Sequence, residues 1–126
     1  MSNVEEIISL VLEEPKQDGG DFSGFDLKGV SLNGASFAFA TLIDTNMEDA
    51  ELLDINFPQA SLNNATFKNA KIKNVDFSSA NLEEVTFEEA SLSGCNFKNV
   101  DPKTTKKSTE MQRDFLINHL RHGRSL

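Results

Sequence analysis

Residues 50–69 read AELLDINFPQASLNNATFKN, a stretch with a large apolar side chain at every fifth position. The residue two places before each of them is also apolar and usually small, and the other three positions are mainly polar. A helix repeats every 3.6 residues and a strand every 2, so a sustained period of five fits neither element. The spacing predicts a chain that turns a corner in every five-residue unit.

The period extends outward from this stretch over sixteen consecutive units. Every central position is large and apolar: Phe22, Leu27, Leu32, Phe37, Leu42, Met47, Leu52, Phe57, Leu62, Phe67, Ile72, Phe77, Leu82, Phe87, Leu92 and Phe97. In the second row, two places earlier, most residues are small, and Phe25 and Thr45 are the departures. We expect both rows to point inward, which explains a hydrophobic content of only 38% without any need for disorder.

The units resemble the pentapeptide-repeat family, whose pattern is Ala-(Asp/Asn)-Leu-X-X. Residues 80–84 (ANLEE) are a near-ideal copy, and residues 50–54 (AELLD) and 60–64 (ASLNN) are close ones. The resemblance implies an all-β fold, a right-handed parallel β-helix of square cross-section with four units, or twenty residues, in each coil. The sixteen units then form about four coils.

The order of the central residues provides a test of the twenty-residue coil. From Phe37 to Phe97, every fourth central residue is Phe, which predicts a ladder of rings about 4.8 Å apart along the axis. The same register predicts a column of alternating charge on the outside, formed by Lys28, Glu48, Lys68 and Glu88. Five glycines are interpreted as corner residues rather than as a phosphate-binding loop: Gly19, Gly20, Gly24, Gly29 and Gly34.

Three segments are predicted from these patterns: a capping helix in residues 1–18, the β-helix in residues 19–102, and a basic segment in residues 103–126. Residues 3–14 carry a helical stripe, and Ser2 or Asn3 can cap this helix. The stripe consists of Val4, Ile7, Ile8 and Val11. We expect it to cover the first coil and its strand edge, with a partner-binding helix as the alternative.

The segment 103–126 has six basic and two acidic residues, a net charge of +4. A capping box at Thr109 and Gln112 predicts a helix over residues 110–122. Its apolar residues spread over more than half of the helix circumference: Met111, Phe115, Leu116, Ile117 and Leu120. This helix is expected to cap the last coil or to form a homodimer, and Phe115 and Leu120 are its candidate contact residues.

Charge and composition exclude several classes of protein. The formal net charge of −8 argues against direct nucleic-acid binding, because phosphate contacts need a basic surface. No stretch is long and apolar enough to span a membrane, and residues 1–14 lack the basic residues of a signal peptide. Cys95 is the single cysteine, which excludes an internal disulfide and fits a cytoplasmic location.

Catalytic groups are sparse. Residues 21–100 contain no His, Arg or Tyr, so the commonest general base is missing there. Their carboxylates lie at outward positions on a convex body, whereas enzymes use concave, partly desolvated sites. His119 and His122 could share a metal, but no third ligand is evident, and Cys95 is expected to be a buried, unreactive thiol. We predict no enzyme activity, no metal and no cofactor.

Two surface features stand out. Five apolar residues occupy positions that should point outward: Ala38, Phe39, Ile43, Leu53 and Pro58. Such a patch usually marks a contact, here with a terminal segment of the chain or with a partner. Four acidic residues crowd two adjacent sides of the last coil: Glu83, Glu84, Glu88 and Glu89. They form either a solvated face or a binding surface.

These features predict a non-catalytic protein–protein interaction or scaffold module with an unidentified protein partner. The alternative comes from the resemblance, because some members of the family mimic DNA with an acidic β-helical surface and bind a type II topoisomerase. Four coils would span roughly 20 Å, about six base pairs, and lysines interrupt the acidic surface.

Overall fold

A computed structural model describes residues 2–100 of the chain. Its elements are α1 (Asn3–Glu13), β1 (Ser31–Asn33), β2 (Glu51–Leu53), β3 (Lys71–Lys73) and β4 (Ser91–Ser93). The four strands form one parallel sheet in the order β1-β2-β3-β4. The helix predicted over residues 110–122 lies outside the described residues.

Each coil contains twenty residues, as predicted. In the sheet, Leu52 pairs with both Leu32 and Ile72, and isolated bridges join residues twenty apart around the rest of the coil. The backbone N–H of Phe37 donates to the carbonyl of Asn56 at 2.7 Å, and equivalent bonds recur along the chain. The parallel β-helix implied by the family resemblance is therefore confirmed.

This register divides the surface into four sides, which we name by their five-residue units. Side A comprises residues 15–19, 35–39, 55–59, 75–79 and 95–99. Side B comprises residues 20–24, 40–44, 60–64 and 80–84, and side C comprises residues 25–29, 45–49, 65–69 and 85–89. Side D contains the four strands and comprises residues 30–34, 50–54, 70–74 and 90–94.

The last residue of nearly every unit has a left-handed backbone. Twelve of these residues are not glycine, and their φ angles lie between 55° and 64°. In a typical unit of side A, the N–H of Ala40 donates to the carbonyl of Phe37 at 3.0 Å, and Phe39 at position three of the turn has positive φ, as in a type II turn. Gly, Asn and Asp tolerate this conformation best, which explains their frequency at the corners.

The glycine interpretation is correct for four residues and wrong for one. Gly19, Gly24, Gly29 and Gly34 all have φ between 72° and 77° at corners. Gly20 instead belongs to the small inward row. A Cβ atom at Gly20 would lie 2.7 Å from the ring of Phe22, so a close approach, and not a turn, requires glycine there.

The core consists of the two rows predicted to point inward. Fifteen of the sixteen central residues are buried, and Leu92 in the last coil is half-buried. Phe37, Phe57, Phe77 and Phe97 form the expected ladder, with successive ring centroids 5.5, 5.6 and 5.1 Å apart. These distances exceed the axial spacing because stacked rings are offset sideways. Phe67 and Phe87 form a second stack at 5.1 Å that meets the ladder edge to face.

Three residues depart from the small apolar row: Thr45 and Cys95 are accommodated by hydrogen bonds, and Phe25 by ring packing. Thr45 is buried, and its hydroxyl donates to the carbonyl of Leu42 at 3.0 Å, so no buried polar group is left unpaired at this position. Cys95 is fully buried, with its sulfur 3.6 Å from the carbonyl oxygen of Ser93. Phe25, the aromatic departure, is half-buried and packs edge-on against Phe22 at 5.6 Å.

Helix α1 covers the N-terminal end of the core. Ser2 is the cap, and its hydroxyl accepts a hydrogen bond from the N–H of Glu5 at 3.1 Å. Ile7 and Val11 are buried in the core cluster, as the helical stripe predicted. Asn3 has a different role, because its side-chain oxygen accepts a hydrogen bond from the N–H of Asp26 at 2.8 Å and ties the helix to the first coil.

The β-helical pairing begins one unit before Phe22. The carbonyl of Pro15 accepts a hydrogen bond from Ser36 N–H, and the N–H of Gln17 donates to the Ser36 carbonyl. Gln17 therefore occupies the central position of an additional unit. Its side-chain amide donates to the carbonyl of Glu14, the C-cap of α1, at 2.7 Å. It also lies 3.3 Å from the carbonyl of Leu10, which already accepts the backbone N–H of Glu14 at 2.8 Å.

Candidate interaction surface

The apolar surface residues cluster around side A. We call the group formed by Ala38, Phe39, Ile43 and Pro58 the Phe39 patch. The N–H of Phe39 donates to the carbonyl of Pro58 at 3.0 Å, so these two residues lie on adjacent coils of the same side. Ile43 follows round the corner on side B. Phe39 is 62% exposed, and the other three are half-buried.

Leu53 lies apart from Ile43. It is half-buried on β2, which belongs to side D, whereas Ile43 belongs to side B. Sides B and D flank side A at its two edges and face away from each other in a four-sided coil. The structure therefore brings together Phe39, Pro58 and Ile43, and it places Leu53 at the opposite edge of side A.

The backbone of Phe39 makes its exposure informative. Its φ is 59°, and it is the only large apolar residue among the left-handed corners of residues 2–100. A non-glycine residue in this conformation costs about 1–2 kcal/mol, least for Asn and Asp. An exposed ring recovers little of this cost by burial. Strain of this kind that brings no gain in packing is typical of residues retained for function.

The backbone beneath Phe39 is held in place by one carboxylate. Asp18 Oδ1 accepts a hydrogen bond from the Ala38 N–H at 3.1 Å and from the Ser36 hydroxyl at 2.6 Å. Asp18 lies one coil below these residues on side A. The surface that carries Phe39 is therefore preorganised, so that binding would not need to order this segment.

Leu12 is an exposed apolar residue that the sequence patterns missed. It is 80% exposed on α1 and, with Phe39, is one of two large apolar residues that are clearly exposed within residues 2–100. It lies off the buried stripe of the helix, and α1 ends at Glu13, two residues before side A begins at Pro15. The only signal in the sequence was an apolar residue adjacent to Val11 on the polar face of the helix.

Charge is distributed unequally over the four sides. In the described part of the chain, sides A and D each carry two acidic and two basic residues. Side B carries four acidic residues and no basic one, and side C carries five acidic residues and two lysines. The acidic surface therefore covers two adjacent sides, and the Phe39 patch lies at the edge between neutral side A and acidic side B.

The four glutamates singled out in the last coil occupy these acidic sides. Glu83 and Glu84 lie on side B, and Glu88 and Glu89 lie on side C. Glu88 is half-buried and the other three are exposed. They surround two sides of the C-terminal opening of the core.

Hydrogen bonds within the coils explain the Asp and Asn residues that precede central positions. Asp21 Oδ1 accepts a hydrogen bond from the N–H of Ser23 at 3.0 Å, and Asn81 makes the same bond to Glu83. Backbone and hydroxyl hydrogen bonds from Ser23 hold the pKa of Asp21 below its usual value. These side chains stabilise the turns, and their Oδ1 atoms accept hydrogen bonds from the backbone.

One ion pair illustrates the outer register. Lys71 Nζ lies 4.0 Å from Glu51 Oε1, one coil below, as the twenty-residue spacing predicts. Both side chains are largely exposed, so the pair contributes about 0–1 kcal/mol. The pair therefore matters mainly as evidence that residues twenty apart lie on adjacent coils.

No three His, Cys, Asp or Glu side chains within residues 2–100 converge to hold a metal ion. None of the helices in this part of the chain has the length and apolar character to cross a membrane. His119, His122, Phe115 and Leu120 lie outside the described residues.

The coil geometry and the repeat define a class of solenoid proteins. The family model for the pentapeptide repeat region matches residues 20–97. The chain belongs to the pentapeptide-repeat family, and the resemblance inferred from the sequence is confirmed. The family match also identifies the fold, which is the right-handed four-sided β-helix of pentapeptide-repeat proteins.

Two solved structures are among those similar to this chain. HetL, a pentapeptide repeat protein involved in heterocyst differentiation regulation in Nostoc sp. strain PCC 7120, is 26% identical with a TM-score of 0.63. The match covers 66% of this chain but only 38% of HetL. A pentapeptide repeat protein from the Arabidopsis thaliana thylakoid lumen is 21% identical, with a TM-score of 0.48 over 90% of this chain and 86% of that one. A search of curated protein sequences found no significant match.

Proposed function

We propose that this chain is a non-catalytic, cytoplasmic interaction module that binds a protein partner through the Phe39 patch. The observation that carries the proposal is Phe39 itself, a largely exposed aromatic side chain on a left-handed corner. The corner geometry disfavours Phe and the exposed ring adds little to folding, so contact with a partner is the best reason for its presence.

The surroundings of Phe39 fit a protein partner. Pro58 and Ile43 extend the apolar area, and polar side chains of sides A and B surround it, which is the usual arrangement of an apolar centre with a polar rim. Aromatic residues are the commonest anchors of protein interfaces. HetL, which has the same fold and is 26% identical over the matched region, is involved in heterocyst differentiation regulation, and we propose a regulatory or scaffolding role here as well.

The test is affinity capture with a matched pair of variants. Phe39→Asp/Ile43→Asp removes the centre of the patch, and Gln59→Asp/Asn63→Asp introduces the same charges in the same two columns one coil away. We expect the first variant to lose the captured partner and the second to retain it, with both folded by circular dichroism. If the folded Phe39→Asp/Ile43→Asp variant captures the same proteins as the wild type, the patch is not the interface.

A second candidate function is DNA mimicry, with the acidic sides B and C binding a DNA-processing enzyme such as a type II topoisomerase. The observation that favours it is the absence of any basic residue from side B within residues 2–100. Lys28 and Lys68 interrupt side C, and four coils match only about six base pairs of DNA. A supercoiling assay in which micromolar protein has no effect on the enzyme would exclude this function.

A further inference from the structure

The Phe39 patch continues into side B, where every charged residue is acidic. Phe39 lies at the corner between sides A and B, and Ile43 and Asp44 follow it in the same coil. Asp21 lies one coil below on side B, where it is bridged to Thr41. Apolar and carboxylate groups therefore lie side by side at this edge of the molecule, and a partner that covers the patch also meets the carboxylates.

The carboxylates on side B have no cationic neighbour on their own side. No Lys or Arg occurs among the residues of side B, and Asp21, Asp44 and Glu83 are all exposed. None of these three residues forms an ion pair with another residue in the described range 2–100. A neutral or acidic partner would leave their charges unpaired at the interface, whereas a cationic partner would complement them. The charge of side B therefore favours a basic partner.

The spacing of these groups along the axis matches the pitch of an α-helix. Adjacent coils lie about 4.8 Å apart, and one helical turn rises about 5.4 Å. From Asp21 through Asp44 to Glu83, side B spans three steps between coils. These steps cover about 14 Å, which is the length of about ten helical residues. A helix lying along side B therefore presents side chains one turn apart to successive coils.

We propose that the partner binds the Phe39 patch with a basic amphipathic helix that lies along side B. An apolar side chain of this helix packs against Phe39 and Ile43, and Lys or Arg side chains on the same face pair with the carboxylates of Asp21 and Glu83. The inference rests on the proposed function and adds to it the chemistry of the partner. A second copy of this chain does not supply such a helix from residues 2–100, because α1, their one helix, has acidic residues and no basic one.

The test is an NMR titration of the full chain with a model helix. The probe is an Ala-based peptide of about 18 residues, a length at which such helices form in water. One face of the peptide carries Leu at its centre, Lys one turn before the Leu and Lys two turns after it. We expect the peptide to shift the amide signals of Ile43, Asp44 and Glu83 and to leave those of Lys71 and Lys73 on side D in place. The absence of shifts on side B would overturn the proposal.

Two comparisons show which features of the helix and of the chain matter. A peptide of the same composition with Leu and Lys on opposite faces should bind at least about tenfold more weakly. In the chain, Asp21→Asn/Asp44→Asn removes two charges beside the patch. Asn81 makes the same turn hydrogen bond as Asp21, and Asn64 has the left-handed backbone of Asp44 in the same column, so this variant should fold. We expect its affinity for the peptide to fall by about tenfold or more.

A matched control separates a site on side B from general attraction to an acidic protein. Glu51→Gln/Asp54→Asn makes the same change in net charge on side D, and this variant should bind the peptide like the wild type. Equal losses of affinity in the two variants would show that the attraction does not depend on side B. No loss in Asp21→Asn/Asp44→Asn would show that the carboxylates do not take part. Either result would overturn the proposal.

Failure of the proposed function gives a different result. If Phe39→Asp/Ile43→Asp leaves partner capture intact, the patch is not the interface and both proposals are wrong. If this variant loses the partner but Asp21→Asn/Asp44→Asn retains both the partner and the peptide, the patch remains the interface and only the basic helix is wrong. A dimeric mass by light scattering that Phe39→Asp/Ile43→Asp converts to a monomeric one would show that a second copy covers the patch, which also overturns the basic helix.

Discussion

The ring of Phe57 stacks on the ring of Phe77 with centroids 5.6 Å apart and 13° between the ring planes. The two residues are twenty positions apart in sequence and one coil apart in space. Each ring thus fills the interior of one coil and packs against the ring in the next coil. Because every coil contacts only its neighbours, the stability of each coil depends on the ring contacts that it makes with the adjacent coils.

Truncation of the ladder should depend on position. We expect Phe57→Ala or Phe77→Ala to lower the free energy of unfolding by about 3–5 kcal/mol, because each ring is buried between two others. Phe97→Ala in the last coil should be milder, since that ring stacks on Phe77 alone. Urea denaturation of the three variants measures the difference. Equal, small changes in all three would contradict a continuous ladder.

We expect Phe39 to lower the free energy of unfolding while it provides the contact with a partner. Asn adopts left-handed backbone more readily than Phe, so we expect Phe39→Asn to raise the free energy of unfolding by up to about 1 kcal/mol while it abolishes partner capture. Gln59→Asn, at the same corner one coil away and with a φ of 57°, should gain a similar amount of stability but leave partner capture unchanged. Thermal unfolding and affinity capture provide the two measurements. A destabilised Phe39→Asn protein would indicate that the ring contributes to packing.

Gln17 should stabilise the junction between α1 and the first coil. Gln17→Ala removes hydrogen bonds to the carbonyls of Leu10 and Glu14, and we expect a loss of about 1 kcal/mol. Gln17→Leu restores the apolar pattern of the repeat without these bonds. If Gln17→Leu is as stable as the wild type in urea denaturation, then the carbonyls of α1 do not need this amide.

Cys95 should be unreactive in the folded protein and should affect stability at alkaline pH. Burial raises the pKa of its thiol, whereas in the unfolded chain a thiol titrates near about pH 8.5. As the pH rises above that value, the unfolded chain loses its proton first, so the free energy of unfolding falls. Cys95→Ala should lack this part of the pH dependence. Rapid reaction of the native thiol with a disulfide reagent would contradict the buried position.

The period of five determined most of the fold without tertiary information. A side chain that recurs every fifth residue can stay inside only if the chain turns at every unit, so the inward rows followed from spacing. The coil of twenty was implied by the family resemblance, and the recurrence of Phe at every fourth central position supported it and predicted the ladder. The helix α1 followed from its stripe in the same way. The outward position of Phe39 was predictable for the same reason, because it falls between the inward rows.

Tertiary structure decided what depends on contacts between distant residues. Gln17 occupies a central position that hydropathy does not reveal, because its amide is needed only where the end of α1 meets the first coil. Gly20 is required by the ring of Phe22, and Leu53 is separated from Ile43 by the corners of the coil. Periodicity specifies whether a side chain points in or out, but the neighbours it meets are specified only when the coils and the helix are packed together.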